Sequence, residues 1–349
     1  MNTPRFRLYR LPLVALSVVF DCMAPHVVFR LSLISKKSHR ITKSLRRIPE
    51  MLDMFLCEHA SIVIRSKNYR FPLLYIVNPD SSEPTESLRI NDELIQIGMD
   101  REQDDMLIHW EQDRFLRLTH LCDYVREFYH LPIYWLSITC EINSSEPKKA
   151  LDWILNRQET IPEVSFECDP TQEGEFRYFF YKIENRVTEF LFIVGGPNEH
   201  FRYTFRQPLT AEHIDIEGAL WFTLDNLYSM NSRWLHVESS NLTCENMNSF
   251  LKEWQLNGGN SNTRFMDLGI PLKDAEVILN GLEVIRRDFP DPIEYYYDEG
   301  KVEFKVSYEL RRSDGTIASI VIDDPGKDDF YMLVWPDWNG RLYPVQELE

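Results

Sequence analysis

The chain has 349 residues, 44% of them hydrophobic and 13% aromatic, enough to build packed cores in two or three domains. Its net charge of −17 divides unevenly: the first 50 residues hold ten Lys and Arg against Asp21 and Glu50, a balance of +8, while the remaining 28 basic and 53 acidic residues leave −25. A body so acidic excludes nucleic-acid phosphate as a ligand, and no apolar run reaches the roughly 20 residues of a membrane-spanning helix.

Six cysteines (Cys22, Cys57, Cys122, Cys140, Cys168 and Cys244) contain no C-x-x-C pair. They read as reduced core thiols of a cytoplasmic or nuclear protein, not as a disulfide framework or a zinc site. At the N-terminus, "LPLVALSVVFDCMAP" is an apolar run in basic surroundings. It is compatible with a secretory signal, a buried core helix, or a surface that another protein covers. As a signal, Arg5, Arg7 and Arg10 form the charged region and Leu11 to Phe20 the apolar one, with Asn143 and Asn241 as glycosylation acceptors. However, Pro12 interrupts the apolar run and Asp21 stands where a small-residue cleavage site belongs.

As folded structure, the spacing predicts three short helices. Pro12 suits a first helical turn, and Leu13, Leu16, Val19, Phe20 and Met23 recur at three- and four-residue steps. Pro25 ends that helix and can open a second over His26 to Ser35, and Ser35 or Ser38 can cap a basic third helix through Ile41 and Leu45. Helices this short cannot bury all their apolar surface among themselves, so the surplus needs a partner or the rest of the chain.

These residues resemble an F-box: Leu11-Pro12, Leu16, Val19-Phe20, Met23, Pro25, Leu31, Leu33-Ile34, Lys36 and Ile41 follow its pattern, with Val14 and Ala24 replacing two acidic positions. The resemblance implies binding to the Skp-type adaptor of a cullin-based ubiquitin ligase. The anchors expected for such a helix-in-groove contact are Leu11, Pro12, Leu16, Val19, Phe20 and Met23, with Pro25, Leu31 and Ile34 beside them. The same side chains could instead pack on the C-terminal body.

Beyond the helices, "SIVIRS" and "FPLLYIV" are rich in β-branched and aromatic residues and read as strands, with "NPDSSEPTES" as a loop. Further on, helical patterns alternate with short apolar strands at 133–138, 164–168, 189–195, 233–239 and 264–270. Their starts are 31, 25, 44 and 31 residues apart, and the long step implies an insertion around "GGPNEHFRYTFRQPLTAEH". The fold class expected is α+β or α/β: a three-helix N-terminal unit, then an irregular leucine-rich-repeat-like body with a mainly parallel sheet, ending in β-hairpins. A doubly wound sheet is the rival arrangement. Expected segments are 5–48, 49–130 (β-rich and helical), 131–280 (the repeating body) and 290–349 (hairpins).

A second tract, "SRWLHVESSNLTCENMNSFLKEWQLNGGNSNTRFMDLGI", resembles the F-box-associated type 2 domain of the large nematode F-box family, whose region falls at about 190–270 here. Its physical logic is direct: Thr243 can cap a helix, Phe250, Leu251 and Trp254 share one face, and Gly258-Gly259 ends it. "YELRRSDGTIASI" resembles the closing segment of the same family, and Asp314-Gly315 is a hairpin-turn signal. "WPDWNG" suits either an exposed aromatic patch or the edge of the core.

No sequence signature of an enzyme is present: "VGGPNEH" lacks the Lys-Ser/Thr of a phosphate loop, and neither G-x-S-x-G nor H-E-x-x-H occurs. The nine histidines are scattered, and the acidic runs 100–105 and 323–329 lack a calcium-loop pattern. The sequence therefore points to a non-catalytic receptor subunit without cofactor or metal. It would dock the Skp-type adaptor, and through it a cullin scaffold, and hold an unidentified target protein on its sheet face and C-terminal hairpin loops. Neither nucleic acid nor membrane is expected as a partner. The alternatives are a secreted or lumenal glycoprotein with an N-terminal signal peptide, and a hydrolase of unfamiliar type, which would need clustered titratable residues.

Overall fold

The computed structural model describes residues 7–23, 25–46, 48–57, 60–66, 69–77, 86–90, 93–99, 106–109, 113–140, 145–270, 274–298, 300–322 and 329–344. The chain divides into two compact units, Met1–Thr139 with Ser145–Ile161, and Cys140–Ser144 with Pro162–Glu349.

The first unit opens with α1 (Leu13–Asp21), α2 (Pro25–Leu33) and α3 (Lys36–Leu45). Pro12 stands at the N-cap of α1, and the Ser35 hydroxyl caps α3 by accepting from the Ser38 N–H at 3.1 Å. Six strands follow: β1 (Met51–Leu56), β2 (Ser61–Ser66), β3 (Tyr69–Val77), β4 (Glu86–Ile90), β5 (Glu93–Met99) and β6 (Met106–His109). Then come α4 (Arg114–Tyr129), β7 (Trp135–Cys140) and α5 (Glu146–Leu155). Within this unit the strands lie in the order β7-β1-β2-β3-β6-β5-β4. β1 is antiparallel to β2 and parallel to β7. Asp113 caps α4 by accepting from the Leu116 N–H, and Leu118, Leu121, Cys122 and Val125 of that helix are fully buried. Burial pushes the Cys122 thiol up to about 12, which keeps it protonated and inert.

The second unit begins with β8 (Ile161–Cys168), α6 (Glu173–Ile183), β9 (Val187–Val194) and β10 (His213–Ile216). It continues with α7 (Leu224–Tyr228), β11 (Trp234–Val237), α8 (Cys244–Asn257), β12 (Phe265–Leu268) and α9 (Ala275–Ile278). A long hairpin, β13 (Val284–Tyr297) and β14 (Gly300–Arg311), then leads to β15 (Ile317–Val321) and β16 (Phe330–Val334). The strand order is β8-β9-β10-β11-β12-β16-β15-β14-β13.

β9 to β12 are parallel neighbours in chain order. A doubly wound sheet requires a reversal of strand order, and this stretch has none. The 44-residue step in the sequence pattern is not an insertion: it contains β10. Strand starts at 187, 213, 234 and 265 replace one long step by shorter ones. "HIDI" was illegible as a strand because only two of its four residues are apolar and both point the same way. Ile214 and Ile216 are fully buried, as are Leu235, Val237, Met266 and Leu268 at equivalent positions.

The helices start and stop where side chains satisfy their free ends. Thr223 and Thr243 each form a capping box, with Asn226 and Asn246 three residues on. Gly258 ends α8 in the left-handed region at φ 68°, a conformation that carries no steric penalty without a Cβ. Gly315, at φ 92°, forms the β14–β15 turn with Asp314, whose carboxylate Arg312 holds well below its ordinary range. Trp335 of "WPDWNG" is buried and its indole donates to Ser319. Trp338 is partly buried beneath the Arg233 guanidinium, 4.0 Å from its ring centre. The tract is therefore the edge of the core.

Candidate interaction surfaces

The N-terminal helices distribute their apolar side chains over three destinations. Leu16 (3% exposed) and Phe20 (0%) turn inward and close on Val28. Leu11, Met23 and Leu31, half-buried, pack against this cluster with Leu8, Tyr9, Ile41 and Leu45. Val19 and Pro25 are also half-buried, whereas Pro12 is exposed. The Pro25 carbonyl accepts from the Tyr129 hydroxyl at 2.7 Å. The expectation that Leu16 and Phe20 stand on the surface as anchors is thus corrected: they are the core of the helical unit. Burying a large apolar side chain is worth about 1.5–3 kcal/mol, and Leu16 and Phe20 take that gain within their own unit.

The second destination is α4. Phe29, fully buried, meets Tyr124 and Phe128 edge-on at 5.8 and 5.7 Å between ring centres. His39 Nδ1 lies 3.0 Å from the Tyr124 hydroxyl, and burial, aided by Lys43, lowers the His39 pKa. The third destination is solvent. Leu13, Val14, Val18 and Ile34 are 67%, 79%, 58% and 64% exposed. Val14 and Val18 are one turn apart, so α1 presents a second apolar stripe outward. Of the nine expected anchors only Pro12 and Ile34 are exposed; Leu13, expected on the same stripe as Leu16 and Phe20, instead faces solvent, and Val14 and Val18 were missed. Their signal was available in the i, i+4 pair, but the larger residues on the opposite face dominated the pattern. The apolar run of the signal-peptide alternative is α1 itself, built into a core. Asn241 donates its side-chain amide to the Leu220 carbonyl; Asn143 lies outside the described residues.

In the second unit, β9 to β12 show two different faces. One carries the fully buried aliphatic positions. Alternation puts the intervening residues on the other, and the register lines them up in rows. The first row runs Phe190, His213, Trp234, Phe265 and Leu333. It is roofed by the C-terminal hairpin: Tyr297 stacks on Phe265 at 4.5 Å, and Asp298 lies 3.6 Å from His213 Nε2.

The second row is Phe192, Asp215, His236, Asp267 and Tyr331. Phe192, Asp215 and Tyr331 are half-buried, and the His236 and Asp267 side chains are 27% and 14% exposed. One residue further the ladder continues, since the Glu217 N–H donates to Ile193 and the Glu238 N–H to Ile216. This third row holds Val194, Glu217, Glu238, Gly269, whose N–H donates to Val237, and, beside Phe330, Asp329. His236 Nδ1 is 3.2 Å from Asp267 Oδ2. That hydrogen bond raises the His236 pKa; burial opposes it, and the charges of Asp267, Asp215 and Asp329 add to the rise. The charges of Asp267, Asp215 and Asp329 thus act on one imidazole, and the residues named in the three rows include no Lys or Arg.

Among the described residues no group of three or more His, Cys, Asp or Glu side chains could hold a metal ion. No helix among them is long and apolar enough to cross a membrane.

Residues 200–268 match a family described as F-box associated. The match covers β10, α7, β11, α8 and β12, and it falls inside the region of about 190–270 expected from the resemblance. The Skn-1 dependent zygotic transcript 15 protein of Caenorhabditis elegans is 23% identical over 342 residues, covering 91% of this chain and 94% of the relative. No solved structure matches.

Proposed function

We propose that this chain is a target-receptor subunit of a cullin-type ubiquitin ligase. In this reading the outward stripe of α1, with Pro12 and Ile34, docks a Skp-type adaptor, and the second unit holds the target protein. The chain contributes no catalytic step: it raises the effective concentration of a target lysine near a recruited conjugating enzyme. One observation carries the proposal. An F-box-associated region stands in a chain that also carries α1, α2 and α3, with Leu13, Val14 and Val18 of α1 still exposed. Apolar groups left on a surface in such a group mark a contact with another protein.

The test is capture of the full chain by a purified Skp-type adaptor. Val14→Asp with Val18→Asp places two charges on exposed positions, so thermal melting should hardly change while capture is lost. Leu16→Ala instead removes core packing and should cost about 2–5 kcal/mol of stability with capture retained where the chain is folded. Capture by a folded Val14→Asp/Val18→Asp variant at the wild-type level would remove the proposal.

A further inference from the structure

We propose that the open face of β9 to β12 seats an extended polypeptide segment bearing lysine or arginine side chains. This deepens the receptor reading, on which it rests for calling that polypeptide the target. Parallel sheets are ordinarily covered on both faces. Here one face is buried, and the hairpin β13–β14 covers the first row of the other, with Tyr297 on Phe265 and Asp298 beside His213. In the second row the His236 side chain keeps 27% exposure, and in the third Glu238 is exposed, so the face is not complete without a further element.

Charge decides what that element is. Asp215 and Asp267 flank His236 in the second row, and Glu217, Glu238 and Asp329 stand in the third, the first two side by side. Strands lie about 4.8 Å apart, close enough for the carboxylates to reinforce one another's field across the open strip. An anionic ligand, whether nucleic acid or a phospholipid surface, is repelled there. The alternative of a bare cation is disfavoured by the lack of a ligating group among the described residues.

Shape points the same way. Five strands from β9 to β16 make a strip about 19 Å long and two rows, about 7 Å, wide. Such a strip takes roughly six residues of extended chain. Phe192, Val194 and Tyr331 stand in the same rows, half-buried. They can cover the aliphatic stems of Lys or Arg side chains while the charged ends meet the carboxylates.

The experiment uses the full chain and two fluorescent probe peptides, one alternating Val with Lys and the other Val with Glu, read by anisotropy. The lysine probe should bind at least tenfold tighter than the glutamate probe, and its affinity should fall steeply as salt is raised. Asp215→Asn with Asp267→Asn should weaken it at least tenfold. Glu217→Gln with Glu238→Gln, at the strand ends, should weaken it about fivefold and serves if the first pair disturbs folding. Glu276→Gln with Glu283→Gln, exposed and away from the strip, should leave affinity unchanged. Equal binding of the two probes, no binding of either, or unchanged affinity in the folded Glu217→Gln/Glu238→Gln variant would each overturn the proposal. Adaptor capture is measured in parallel: its failure while the lysine probe still binds removes the receptor reading and leaves this one standing.

Discussion

His236 shows how one residue can report on a surface. Its partners are Asp267 at 3.2 Å and the charges of Asp215 and Asp329, and Trp234 stacks beside it at 5.9 Å. Its pKa is raised from 6.5, so the folded state binds the proton more tightly than the unfolded chain. The stabilisation is therefore fully present below pH 6.5 and disappears as pH rises through the folded value. We expect the difference in urea midpoint between wild type and His236→Asn to shrink between about pH 6 and pH 9. A difference that grows over that range would show the sign to be wrong. Comparing the two proteins cancels the contribution of His39, whose pKa is shifted the other way.

At the scale of elements, local chemistry set the helix ends and tertiary packing set their faces. Thr223 and Thr243 repeat one device, each accepting from the backbone N–H of an asparagine three residues on, whose side chain returns the bond. Thr243→Ala should lower stability by about 1 kcal/mol, measured by urea titration, with no effect on adaptor capture or on the lysine probe. The α1 helix follows the opposite rule. Its two apolar stripes were both written in the residues, but which one faces inward depended on what α2 and α3 offered. Phe29 was taken by the aromatic side chains of α4, leaving Val28 to meet Leu16 and Phe20. No periodicity within α1 contains that information.

For the whole molecule, the receptor reading assigns two tasks to two separate surfaces, each within its own compact unit. The substitutions should then act independently. Glu217→Gln/Glu238→Gln should be captured by the adaptor at the wild-type level, and Val14→Asp/Val18→Asp should bind the lysine probe with unchanged affinity. Pull-down and anisotropy on both variants check this, and loss of both activities in either folded variant would contradict it. The charge division visible in composition has the same organisation. The basic excess falls in the first 50 residues, on and around α1 to α3, and the acidic strip belongs to the second unit.

Much of the architecture was legible in the residues because it is locally encoded. The three N-terminal helices, α4, α8 with its Thr243 cap and Gly258 stop, β11, β12 and the Asp314-Gly315 turn all follow from periodicity and capping chemistry, which act over a few residues. Three features were decided only by tertiary structure. β10 is a strand because Ile214 and Ile216 fill a buried face between two existing strands, although its four residues are half polar. Leu16 and Phe20 are core because burial rewards the largest apolar groups that a neighbouring helix can cover. The acidic strip exists only because the register of β10, β11, β12 and β16 lines up carboxylates that stand as much as 114 residues apart in the chain, from Asp215 to Asp329, a distance over which spacing carries no signal.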